Sequence, residues 1–231
     1  MSGVFHYTDG TPSREGALTA YATHRDDVTG LRQAVHHYRS GRSGPRAPGA
    51  GRLEALYVLS GTGTLHRRDG GHPLRPESAA LLVGAEPCEI STDGELVLVS
   101  VSADERPEVA CGPPHAVLDL ADRSTQDAVS DREYQVLFDP ATGCSGVTQF
   151  LGHIPAVRTP RHYHPYSEMA FVVGGSGRVE IEGAVSALGP GSCFHLPAGV
   201  PHRVENTGSG FLRLLGVFTP AGSPAQHTPV A

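Results

Sequence analysis

Residues 167–177 read Ser167-Glu168-Met169-Ala170-Phe171-Val172-Val173-Gly174-Gly175-Ser176-Gly177. A glutamate opens a short apolar run, and Gly-x-Gly closes it, the pattern of a strand that ends in a tight turn. Residues 53–63 repeat it as Leu53-Glu54-Ala55-Leu56-Tyr57-Val58-Leu59-Ser60-Gly61-Thr62-Gly63, 114 positions earlier. The same offset carries Pro76 onto Pro190 and Pro87 onto Pro201. Upstream, Gly30-Leu31-x-Gln33-x-x-x-His37 matches Gly146-Val147-x-Gln149-x-x-x-His153 at an offset of 116, so the loop between Tyr38 and Glu54 is two residues longer than its partner. Matches of this kind in a single order point to two copies of one β-domain.

Working outward, further β-rich runs lie between Gly, Pro and Asp punctuation: Ala79–Val83, Glu95–Val101, Tyr134–Phe138, Val147–Ile154, Arg178–Ile181 and Phe211–Phe218. Runs of this length at this spacing predict an all-β chain of sandwiches or barrels. The 29 glycines and 19 prolines fit the many tight turns such a chain needs. Asp26–Tyr38 has some helical spacing, but the repeat argues for a strand there. The predicted domains are residues 1–115 and 116–231. Residues 104–128 read as the connector, and the turn-rich tail after Phe218 is expected to be disordered.

Composition narrows the chemistry. All 18 basic residues of the 231 are arginine, so a lysine Schiff base and a Walker lysine are excluded. A net charge of −6 gives no basic field for nucleic acid or anionic membrane. No apolar run reaches the roughly 18 residues of a membrane span. Residues 1–10 lack the order of a secretory signal, and Cys88, Cys111, Cys144 and Cys193 are too sparse for a disulfide framework. Free thiols and a cytoplasmic location are therefore expected.

The second copy carries a cluster of metal-ligand residue types. On a strand, His162 and His164 of Arg161-His162-Tyr163-His164 share one face, and a turn at Pro165 starts the next strand at Glu168. Pro197-Ala198-Gly199-Val200-Pro201 forms a tight turn that delivers His202, Val204 and Asn206 onto one face of a following strand. Singly, an HxH pair, a strand glutamate and a core histidine carry little weight; the spacing joins them. Three imidazoles and a carboxylate suit one divalent transition metal, Fe(II) or Mn(II) first, with Ni, Cu, Co or Zn also compatible.

These spacings resemble the two motifs of the cupin superfamily. The first motif runs Gly, five residues, HxH, three or four residues, Glu, six residues, Gly; His162, His164, Glu168 and Gly175 match it, with Ala156 in place of the opening glycine. The second runs Gly, five residues, PxG, two residues, His, three residues, Asn; Gly191, Pro197, Gly199, His202 and Asn206 match it completely. Asn206 is the sole asparagine of the chain. The resemblance implies two jelly-roll barrels in tandem, a bicupin, with a metal held in the second by His162, His164, Glu168 and His202. In the first copy Pro48 and Ala50 replace the HxH histidines and Cys88 replaces His202, while Glu54 keeps the place of Glu168. That barrel is read as structural, although His36, His37 or His66 with Glu54 and Cys88 offer an unorthodox alternative.

The implied function is a metal-dependent enzyme acting on a small organic substrate, a dioxygenase first. In that reading His162, His164 and His202 hold the metal and Glu168 alternates between ligand and general base. A non-redox isomerase or lyase of a sugar acid or keto acid comes second, and a non-catalytic binding protein third. Gln149, His153, Arg158 and His195 are further candidates for substrate contact. Tyr163 alternates away from the metal, Tyr166 flanks the mouth, and Val172 and Val204 form an apolar wall. A homodimer is expected.

Overall fold

The computed structural model describes residues 3–230, and none of these residues forms an α-helix. They form two antiparallel sandwiches of one plan. In the first, a seven-stranded sheet runs in the order Val117–Asp119, Ser78–Val83, Arg52–Gly61, Leu96–Asp104, Arg32–Tyr38, Leu18–Arg25, Ser13–Glu15. It packs on a four-stranded sheet of Gly41–Arg42, Glu89–Thr92, Gly63–Arg67 and Gly70–Leu74. In the second, the order is Phe5–His6, Ser192–Leu196, Ser167–Gly174, Leu212–Thr219, Thr148–Ile154, Glu133–Phe138, Gln126–Asp127. Its partner sheet holds Ala184–Leu188, Gly177–Ile181, His202–Asn206, His162–Tyr163 and Thr228–Pro229. Both are jelly-roll barrels, and the strand at Arg32–Tyr38 settles the ambiguous stretch against a helix.

A cut at 115/116 does not separate the sheets. Phe5–His6 pairs with the second barrel, Phe5 lying opposite Cys193. Val117–Asp119 pairs with the first, Val117 lying opposite Ala80. The segment leading into each barrel thus supplies an edge strand to the other, so the connector is partly a strand. The tail also departs from expectation. Thr148 Oγ1 and Gly222 exchange hydrogen bonds at 2.9 and 3.0 Å, and Thr228–Pro229 pairs with His162–Tyr163. Its turn-rich sequence lacks apolar anchors because backbone groups tie it down.

The long central strands read as continuous apolar runs because both their faces are buried. Along Ser167–Gly174, Met169 and Phe171 enter one core while Ala170 and Val172 enter another. Along Arg52–Gly61, Ala55 and Tyr57 enter the same core as Met169, while Leu56 and Val58 fill the first barrel. The two seven-stranded sheets therefore share a central core, and each barrel keeps its own interior. All four cysteines are free, and only Cys111 is exposed.

Gly-x-Gly has a steric cause. Gly175 has φ of 85°, and a Cβ there would lie 2.5 Å from the Phe211 carbonyl oxygen. Its repeat partner Gly61 has φ of 80° and crowds the Glu95 carbonyl in the same way. Substitution Gly175→Ala is expected to destabilise the chain by about 2–4 kcal/mol, from the left-handed conformation plus the backbone clash. Urea unfolding of the variant beside the parent protein measures it.

Candidate metal centre

His162 lies directly opposite His202 in the paired strands, and the Pro165 turn returns the chain into Ser167–Gly174. Ligand-type atoms of His162, His164 and His202 lie within 4.8 Å of one another, and all three side chains are buried. Their rings stand 4.6 to 4.9 Å apart. Each Nδ1 meets a backbone carbonyl: His162 with Pro160 at 2.7 Å, His164 with Gln226 at 2.9 Å, and His202 with Val200 at 2.9 Å. A carbonyl only accepts, so each Nδ1 carries the hydrogen and each Nε2 is left with its lone pair.

The electrostatics agree. Burial, the largest effect, and the neighbouring His202 and Arg132 push His162 down to about 4, against the Pro160 hydrogen bond. Burial likewise pushes His164 down to about 3 and lowers His202. All three imidazoles are neutral at physiological pH, as metal binding requires. Glu168 borders the same cavity but stands outside the trio of close nitrogens. Burial raises its carboxyl to about 8 against the pull of Arg132, and no hydrogen bond offsets that burial. Gly216 makes room for it, since a Cβ there would lie 2.6 Å from Glu168 Oε1. A buried acid with no protein partner beside three neutral imidazoles fits a divalent cation, which reverses such a shift.

The surrounding residues fix this arrangement. Gly199 N–H donates to the His164 carbonyl at 2.8 Å, tying the Pro197–Pro201 turn to the HxH segment. Asn206 is structural: its Nδ2 donates to the Ile154 and Gly210 carbonyls at 2.8 and 2.6 Å, and its Oδ1 accepts from Gly208 N–H at 2.8 Å. Tyr166 is buried between His164 and Phe218, stacked on them at 4.7 and 3.8 Å. The cavity opens to solvent. Tyr134, Phe150, Ile154, Phe194, Leu196 and Leu214 give it a mostly apolar wall.

Val204 lines this cavity and Val172 packs in the barrel interior behind it. The other candidates lie elsewhere. Gln149 is fully buried on the strand face that feeds the central core, its amide unpaired. His153 bonds Gln135 at 3.1 Å, and Arg158 pairs with Glu180 and Glu205 at 3.7 and 3.5 Å on the far sheet. His195 bonds Ser167 Oγ at 2.7 Å, which also donates to Asp26 Oδ2 at 2.8 Å. Strand alternation decides these outcomes, and a shift of one position exchanges cavity for core. Two contributors carried no sequence signal that separated them from surface and tail. One is Arg132, which borders the cavity; the other is the tail carbonyl of Gln226.

In the first barrel, a guanidinium stands beside the matching glutamate. Arg46 forms a tight ion pair with Glu54 and donates to Tyr38 Oη at 2.7 Å. His36 lies 3.8 Å from Glu54 and bonds Ser100 Oγ at 2.8 Å. His66 bonds Ser91 instead, and His37 packs against Tyr7 and Tyr21, so the unorthodox site is not assembled. Burial opposes ionisation of Glu54, but Arg46 and then His36 and the hydrogen bonds hold its carboxyl below the ordinary range.

A jelly-roll barrel with three inward imidazoles defines a class of metal-binding β-barrel. Residues 154–218 match the family described as "Cupin domain". "Protein SchB" from Streptomyces halstedii is 37% identical over 88 residues, which are 36% of this chain. The match spans 62% of the length of SchB. Two mutant structures of Bacillus subtilis oxalate decarboxylase OxdC superpose with a TM-score of 0.77 at 13% identity, covering 100% of this chain and 80% of theirs. That likeness is one of fold. The Bacillus enzyme contains Mn(II) centres.

Two outcomes follow. Truncation after Gly222 removes the carbonyl that holds His164 and is expected to weaken metal affinity roughly ten- to a hundred-fold, read by competition with a chelating dye. Arg46→Met leaves Glu54 buried without its cation and is expected to cost about 3–5 kcal/mol at pH 7. In the parent, the lowered Glu54 carboxyl stabilises the fold above its unfolded value, and this is lost as pH falls through the folded value. In the variant, burial alone raises that carboxyl, so the penalty shrinks on acidification. Urea titrations from pH 7 down to about pH 3 check both signs.

Proposed function

We propose that the second barrel is the active site of a metal-dependent enzyme. It holds one divalent transition metal through His162, His164 and His202, with Glu168 as fourth ligand, and acts on a small organic molecule. The observation that carries this reading is the set of three Nδ1–carbonyl hydrogen bonds, which presents three neutral Nε2 atoms together. The Mn(II) centres of the Bacillus fold relative support the choice of a divalent ion, with Fe(II) or Mn(II) first. A bound ion of this kind supplies Lewis acidity and, where redox-active, chemistry with O₂.

The chain's own residues do the rest. The apolar wall excludes water and holds an apolar body against the three imidazoles. Glu168, the carboxyl buried beside them, is placed to take or return a proton at the reacting centre. The wall offers few hydrogen-bonding groups, and Tyr166 and Tyr134 are already engaged with Pro224 and Gln126. A polyhydroxylated sugar acid would leave its hydroxyls unpaired there, which ranks oxygenation of an apolar substrate ahead of sugar isomerisation.

Metal analysis of the purified protein is expected to give one transition ion per chain. His162→Ala or His202→Ala is expected to lose both the ion and activity. Oxygen uptake during turnover of carboxylated aromatic compounds tests the reaction class. Turnover without uptake sinks the oxygenase reading, and full activity in metal-free protein sinks the metal enzyme altogether.

A further inference from the structure

Arg132 is the feature of the cavity that the metal centre does not explain. It is half-buried and borders the apolar cavity, and the three imidazoles and Glu168 all feel its charge. Its Nε donates to the Val129 carbonyl at 2.8 Å, which fixes the plane of the guanidinium. Among the described residues no carboxylate lies within 4.0 Å of it, although every close ion pair elsewhere on the two barrels is built from arginine or histidine. The two acids that border the same cavity, Glu133 and Glu168, are outside that distance.

The backbone is shaped to hold this side chain. Arg132 follows Ser130 and Asp131, two successive non-glycine residues with φ of 65° and 55°. Such a pair is the geometry of a primed hairpin turn, which ordinarily uses Asn or Gly. Left-handed non-glycine residues are unfavourable and persist where the surroundings demand them. The turn joins Gln126–Asp127 to Glu133–Phe138, with Ala128 N–H donating to the Arg132 carbonyl at 2.7 Å.

A guanidinium withdrawn from water without a counter-charge is costly, and a ligand that brings the charge recovers that cost. Its free Nη atoms form a planar fork that matches a carboxylate bidentately. We infer that Arg132 is the substrate-recognition residue of this cavity, and that the ligand it selects is a carboxylate borne on an aromatic or alicyclic body. The carboxylate sits on Arg132 at the mouth, and the ring lies along Phe150, Phe194 and Leu214 towards the imidazoles. This rests on the reading of the cavity as the active site and adds the substrate class to it.

Isothermal titration with benzoate and its neutral isostere benzamide tests the inference, on metal-loaded and on chelator-stripped protein. The stripped arm removes any direct benzoate–metal contact. In both arms the parent is expected to bind benzoate at least about ten-fold more tightly than benzamide, the margin of one charge-assisted hydrogen bond. In the stripped arm Arg132→Gln is expected to abolish the preference and Arg132→Lys to keep part of it, both with unchanged metal content in the loaded protein and an unfolding midpoint no lower than the parent's. Equal binding of the two compounds to the parent, binding of neither, or a preference surviving in stripped Arg132→Gln overturns the assignment. A benzoate preference in a protein that takes up no metal leaves the assignment standing and removes the metal-enzyme reading, so the two failures are distinct.

Discussion

Each seven-stranded sheet has to satisfy two apolar environments at once, and the rest of the molecule follows from that constraint. Strand side chains alternate between faces, so every second residue of Ser167–Gly174 answers to the central core and the others to the second barrel's interior. The site inherits its placement from this alternation. Glu168 points into the barrel because Met169 and Phe171 are claimed by the partner sheet. Ser167, facing the other way, is held by Asp26 of the first barrel. A register slip of one residue would send the acid into the central core, where nothing could neutralise it.

The two barrels solve one electrostatic problem in two ways. Both keep a glutamate at the same point of the fold, buried among apolar residues. In the first barrel Arg46 supplies the positive charge from within the chain, and Tyr38 and Ser100 complete a closed hydrogen-bonded set. In the second, three imidazoles, each oriented by a backbone carbonyl, border the same cavity as the matching glutamate. One barrel neutralises its glutamate from within the chain, while in the other no side chain among the described residues pairs with it.

The repeat, the all-β class and the identity of the three histidines were legible in the sequence because each depends on local spacing. Gly175 and Gly61 recur since the same carbonyl approach recurs, and Asn206 marks a loop that only its amide can staple. What escaped depends on contacts between distant segments. Gln149 and His153 are on a correctly read strand, yet which faces point to the cavity is set by the partner sheet. The tail after Phe218 reads as disordered because its anchors are carbonyls of Pro224 and Gln226, which any residue type could provide. Arg132 is indistinguishable in sequence from a solvated turn arginine, since its isolation from carboxylates is a property of three dimensions.

The crossed edge strands have a consequence for how the molecule comes into being. Phe5–His6 is made well before its partner, Ser192–Leu196, and has to wait for it. The first barrel, by contrast, is closed by Val117–Asp119 as soon as the connector emerges. The first barrel can therefore close as it is made, while Phe5–His6 docks only once Ser192–Leu196 is present. Cutting the gene at the connector would yield two fragments, each carrying a strand that belongs to the other. Mixed, they would re-form the whole by exchange, and kept apart, each would expose a raw sheet edge seeking a stranger.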